Sequence, residues 1–276
     1  MMKPKFLTQS LMTGFAVAIA TMVSSTAALA ADAAPPVVQT NSPWVGMASI
    51  GLTLTRGNSE NVLFTANAKM ARKGPLNEIA FGADGAYGET TTTKRDPTAT
   101  PPYKKVDTTT KSAAMAHAFA QYNRIFNEQL YGYARLDALH DDIADISYRL
   151  SFSPGVGHYF IKNTNTTLAV EVGPGVVNER TGSGQDAETS TYATLRIAER
   201  FEHKFNASVR LWQTLEYLPQ VDRWGNYLVN FEVGVEAAMT KSLSLLTYFQ
   251  DNYDNEPSKG RKCNDMKLVA AVGVKF

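Results

Sequence analysis

The strongest constraint on this chain is the alternation in its final ten residues, Lys267 to Phe276. Leu268, Ala270, Val272, Val274 and Phe276 fall on one side of an extended chain. Lys267, Val269, Ala271, Gly273 and Lys275 fall on the other. Successive side chains of a strand point to opposite faces, so this pattern builds a strand with one apolar face ending in an aromatic ring. A strand that closes an outer-membrane barrel, with lipid outside and a watery lumen inside, reads this way.

The same alternation recurs upstream. Ile50 and Leu52 oppose Ser49, Gly51 and Thr53; Val62, Phe64 and Met70 oppose Thr65, Asn67 and Lys69. Ile79, Phe81, Ala83 and Tyr87 oppose Glu78 and Asp84. Ile146, Tyr148, Leu150 and Phe152 oppose Ser147, Arg149 and Ser151, and Pro154-Gly155 suggests a bulge because proline cannot donate to a ladder. Later segments repeat the pattern through Val170 and Val172, Leu195 and Ile197, Leu211 and Leu215, and Val233 and Val235. The count is about twelve strands. Open sheet edges do not persist in hydrocarbon, so the predicted fold is all-β: a closed, antiparallel, up-and-down transmembrane β-barrel over residues 44–276. An even count puts both termini at one end. The connections alternate short and long, as in bacterial barrels with short periplasmic turns. The stretch 89–112, rich in threonine, proline and lysine, is predicted as a long loop.

Residues 1–30 have the form of a secretory signal: Lys3 and Lys5, an apolar core from Leu11 to Val23, then Ala28 and Ala30 at the cleavage positions. Residues 31–43 read as a disordered periplasmic lead-in. Export through a cleaved signal and a barrel together predict the outer membrane of a Gram-negative-type bacterium. Its expected partners are outer-membrane lipid, the barrel-insertion machinery, with Phe276 as the assembly signal, and small polar solutes.

With 27 basic and 26 acidic residues, no cationic excess calls for nucleic acid. One cysteine, Cys263, excludes an internal disulfide and a cysteine metal cluster. The inner-face parity positions carry Arg149, Glu171, Arg196, Arg200, Arg210, Glu216 and Glu232, which are expected to line the lumen. So many charges are incompatible with the dry core of a soluble sheet. They suit either a selective constriction or a salt-bridge network that fills the barrel. The small inner residues Gly173, Gly175, Thr194, Ser208 and Gly234 tilt the sequence reading toward a narrow open channel.

No catalytic residue, cofactor or metal site is expected. His140-Asp141-Asp142 offers an Asp–His pair for a membrane-embedded hydrolase, but adjacent polar residues also decorate loop tips. No HExxH or GxSxG accompanies them. Asp141, Asp142 and Asp145 could hold calcium through hard oxygens, though not at EF-hand spacing. A surface-binding barrel acting through 89–112 is a third reading.

Trp44, Gly51 and Thr55-Arg56-Gly57-Asn58, followed by Asp141, Arg149, Gly155-Val156-Gly157 with Tyr159, and Glu171-Val172-Gly173-Pro174-Gly175, together resemble the YdiY-like salt-induced outer-membrane proteins. The resemblance spans about 44–276. It implies an outer-membrane β-barrel of unknown biochemical role, named for a response to salt, and brings no catalytic residues. The stretch 89–112 is longer than that pattern.

Overall fold

The computed structural model describes residues 44–55, 59–95, 105–182 and 184–276. The expected signal peptide, with Ala28 and Ala30, and the lead-in 31–43 lie outside the described residues. The strands are β1 (Trp44–Thr55), β2 (Ser59–Lys73), β3 (Asn77–Arg95), β4 (Lys105–Ile125), β5 (Leu130–Asp141) and β6 (Ile146–Lys162). They continue as β7 (Thr166–Thr181), β8 (Glu188–Lys204), β9 (Val209–Pro219), β10 (Tyr227–Ala238), β11 (Leu243–Asp254) and β12 (Asn264–Lys275). Each pairs antiparallel with its chain neighbours, and β1 pairs with β12, so the sheet is a closed barrel of twelve strands.

The tight turns, such as Lys162–Thr166 and Ala238–Leu243, gather at the end that carries Trp44 and Phe276, here called the turn end. The opposite, loop end carries 142–145, 182–187, 220–226 and 255–263. Side-chain amides close the turns: Asn163 Oδ1 accepts from the amides of Asn165 and Thr166, and Asn206 Oδ1 from those of Ser208 and Val209. Ser208, read as a strand position, belongs to that turn.

The outer face is apolar from strand to strand. Ile50, Leu52, Phe64, Phe81, Leu150, Phe152, Val172, Val176, Ile197, Val235, Val272 and Val274 are all exposed, while the inner face buries Glu171, Arg196 and Glu236. That inverts the arrangement of a soluble barrel. Aromatic rings mark both ends. Tyr227 stacks on Tyr253 and meets Tyr217 edge-on at the loop end, and the Trp44 and Phe81 rings lie 6.1 Å apart at the turn end.

Three local expectations change. The stretch 89–112 is largely not a loop: Glu89–Arg95 and Lys105–Lys111 continue β3 and β4 as a paired hairpin, with residues 96–104 outside the described set. Thr91 and Thr109 hydroxyls meet at 2.8 Å, and Thr93 donates to Asp107 at 2.6 Å. Threonine is β-branched and suits strands; polarity on both faces hid the alternation. Ile146 faces inward and Ser147 is exposed, because irregularities between Leu139 and Asp141 and between Ile146 and Tyr148 reverse the parity there.

No register shift occurs at Pro154. Phe152↔Val176 and Val156↔Val172 keep one register, and Pro154 falls opposite Pro174 with neither able to donate. The two backbones approach closely there. A Cβ on Gly173 would run into the Pro154 carbonyl, and one on Gly155 into that of Val172.

Candidate functional site

The inner face is a network of charges held by strand alternation. At its centre is Glu171 of β7, which is 0 % exposed. One oxygen accepts from Gln121 of β4 at 2.9 Å and from the Tyr131 hydroxyl of β5 at 2.8 Å, and faces Arg200 of β8 at 2.8 Å. The other accepts from Arg196 of β8 at 2.8 Å. Arg196 also donates to Glu216 at 2.5 Å, which accepts from Asn230 at 3.0 Å. Its guanidinium lies over the Tyr133 ring. Arg149 is held between Glu179 and Asp254, the latter at 2.7 Å. Arg210 reaches Glu236 at 2.6 Å and Glu202 at 3.1 Å, and Glu236 also meets Lys275 and Ser244. Glu232 accepts from Trp212, Gln250 and Lys69. Arg149, Glu171, Arg196, Arg200, Arg210, Glu216 and Glu232 therefore all sit on the inner face, tied into chains of ion pairs.

Several of these bonds join strands that are not neighbours. Lys69–Glu232 runs from β2 to β10, Arg149–Asp254 from β6 to β11, Gln121–Glu171 from β4 to β7, and Tyr159–Glu78 from β6 to β3. Such bonds cross the interior rather than decorating a wall. The inner glycines leave no free space either. Rings from directly paired positions lie over them: Phe119 over Gly82, Tyr133 over Gly155, Tyr131 over Gly157 and Trp212 over Gly234. A small residue in one strand makes room for a large one in the next.

The two ends of the interior differ. Toward the turn end, Ser49, Thr65, Tyr131, Ser153, Glu171, Ser244 and Val269 are buried in a filled core. Toward the loop end, a cavity of about 380 Å³ opens among β2–β12, lined by Asp84, His117, Arg135, Asp137, Arg149, Trp212, Glu216, Asn252, Asp254, Asp265 and Lys267, among others. In it His117 bridges two carboxylates, Asp84 at 2.9 Å and Asp137 at 3.3 Å, so both ring nitrogens donate and the ring is cationic. Arg135 holds Asp137 from the other side at 2.6 Å. Sequence analysis did not single out this group. The signal was the alternation of β4, masked by its run of alanines.

His140 is elsewhere. Its ring meets the Ser147 carbonyl at 2.8 Å and Asp142 at 3.2 Å, half exposed on the outer side. Asp142 is bound by Lys111 at 2.8 Å, and that hydrogen bond holds its carboxyl below the usual range. Asp141 accepts from the amides of Ile143 and Ala144 and so shapes the turn, in which Asp145 has a φ of 59°. The three aspartates thus have separate tasks. Among the described residues no three His, Cys, Asp or Glu side chains converge as metal ligands would.

Residues 48–276 match the family model described as "Protein of unknown function, DUF481", and the chain belongs to that family. No curated protein matches it. Similar solved structures include the NanC porin, at 8 % identity and a TM-score of 0.47, covering 83 % of this chain and 98 % of that one. The translocator domain of the autotransporter NalP from Neisseria meningitidis is similar at 12 % identity and a TM-score of 0.46, with coverage of 87 % and 90 %. An outer membrane channel from Pseudomonas putida F1 gives 9 %, 0.46, 89 % and 100 %. At these scores the likeness concerns general barrel architecture, which the strand pairing establishes independently.

Proposed function

We propose that this protein is a non-enzymatic outer-membrane barrel that is closed at rest: a structural wall element whose loop-end cavity admits small polar solutes and stops them at the filled core. The apolar outer face against a charged inner face supports the membrane reading. The observation that carries the closed state is Glu171, buried and bonded to β4, β5 and β8 together. Passage would require these bonds to break.

Phe276 supports the reading as an assembly signal. Its ring lies over Gly46, and the two residues exchange backbone hydrogen bonds of 2.9 and 3.0 Å where the first and last strands meet.

The test is conductance of the purified protein in a planar bilayer. A closed barrel gives no steady current at physiological salt. A narrow passive channel, the other reading of the inner-face charges and the one a role in salt response favours, gives a current that grows with salt as the ion pairs are screened. Steady open conductance at low salt overturns the closed reading.

A further inference from the structure

The ring of strands closes unevenly. The β1–β12 pairing runs from the Gly46–Phe276 hydrogen bonds through Met47↔Lys275 to Gly51↔Ala271 and stops there, whereas every other seam is longer. Leu52–Thr55 remains strand against β2, and Asn264–Ala270 remains strand against β11. At the loop end, therefore, two strand edges face each other with no ladder between them. Unpaired backbone groups are strongly disfavoured in hydrocarbon, so an edge of this kind calls for a polar occupant.

The flanks of the gap show what fits. On the outer side Leu52, Met266 and Leu268 expose their side chains at 60 %, 63 % and 50 %. On the inner side Asp265 and Lys267, both on the unpaired stretch of β12, line the cavity. Lys267 has the Met115 sulfur, at 3.1 Å, as its hydrogen-bond partner, and no carboxylate lies within 4 Å of it among the described residues. Asp265 has no side-chain hydrogen bond or ion pair among the described residues and shares its end of the cavity with Asp141 and Asp254. Lys267 and Asp265, neither in an ion pair among the described residues, thus stand two residues apart on one face of a strand, roughly 7 Å from each other. A fatty acid or an anionic lipid would satisfy only the lysine.

We propose that the barrel wall is open sideways between β1 and β12 above Gly51, and that a zwitterionic phospholipid enters there from the bilayer, its phosphate against Lys267, its ammonium against Asp265 and its chains between Leu52 and Leu268. This rests on the outer-membrane reading above. The heat-dependent gel shift of each variant tests that reading separately: a normal shift shows an intact barrel whatever the lipid does.

The experiment uses the full chain in vesicles, with phosphatidylethanolamine or phosphatidylglycerol labelled in the acyl chain. Phosphatidylethanolamine should bind the wild type about tenfold better than phosphatidylglycerol. Lys267→Gln and Asp265→Asn should each weaken phosphatidylethanolamine binding several-fold, and Asp265→Asn should leave phosphatidylglycerol unchanged. Leu52→Cys with Ala270→Cys, in a Cys263→Ser background, should block binding when oxidised and restore it on reduction. Equal binding of the two lipids, or an oxidised lock that changes nothing, overturns the proposal. Hydrogen exchange on the wild type needs no variant. Amides of 52–55 should exchange far faster than those of 47–51, and equal protection would show a closed seam.

Discussion

The turn-end and loop-end halves of this barrel are made from the same twelve strands and similar inner charges, yet one is filled and the other holds a cavity. The difference lies in what stands beside the charges. Around Glu171 and Arg196 stand Tyr131, Tyr133, Ser153 and Thr194, with rings laid over Gly155 and Gly157. At the loop end Asp137, Arg149 and Asp254 are paired as well, but the space between them opens among the loop-end turns. The contrast shows that pairing of charges does not by itself plug a barrel.

The largest effect should come from breaking the filled half at its centre. Glu171→Ala leaves Arg200 without its carboxylate and Arg196 with Glu216 alone, and removing one member of a buried pair costs about 3–5 kcal/mol. Urea unfolding of the detergent-solubilised barrel, followed by its gel shift, reads this; a loss as small as that of a surface substitution would mean the turn half is wet. Next comes the outer face. Val172→Arg, near the middle of β7, should cost about 2–4 kcal/mol in lipid. Asn252→Arg, entering the cavity, should cost well under about 1 kcal/mol. Similar losses at the two sites would undo the distinction between lipid face and open half.

A smaller change is expected at the seam of prolines. Gly173→Ala drives a methyl group into the Pro154 carbonyl, and overpacking of this kind costs about 1–3 kcal/mol. An unchanged unfolding midpoint would show that β6 and β7 can separate there. The smallest effect belongs to the exposed rim. Asp142 has its carboxyl lowered by Lys111, so its contribution is present above the ordinary carboxylate pKa and fades as pH falls through the lowered folded value. Lys111→Gln should return that titration toward the ordinary aspartate value of 3.8, read by carboxyl NMR, with no resolvable change in stability.

Much of the fold was legible because a strand writes its two environments into alternate residues. Phe64, Val172 and Val235 could be placed outside from parity alone, and Arg196 and Glu216 opposite them. Parity failed where one residue was added or lost: Ile146 turned inward at a bulge that leaves no mark in composition. It was also silent where both faces meet water, which is why the Thr90–Thr93 and Thr108–Thr110 arms looked like loop. The glycines that tilted the sequence reading toward a narrow open channel are covered by their neighbours. Gly234 and Gly173 look like empty space along one strand, but Trp212 and the Pro154 backbone occupy it from the neighbouring ones.

The sequence by itself determined a count of about twelve strands, their antiparallel order and the inward side of charges such as Arg196 and Glu216, since these follow from the period of two and the alternation of short and long connections. Only the tertiary structure decided what the charges do. Closing the sheet brings Lys69 to Glu232, Arg149 to Asp254 and His117 between Asp84 and Asp137, and it ends the β1–β12 ladder at Gly51. These are contacts between residues far apart in the chain, set by register, barrel curvature and the reach of side chains across the interior, and no local pattern encodes such distances.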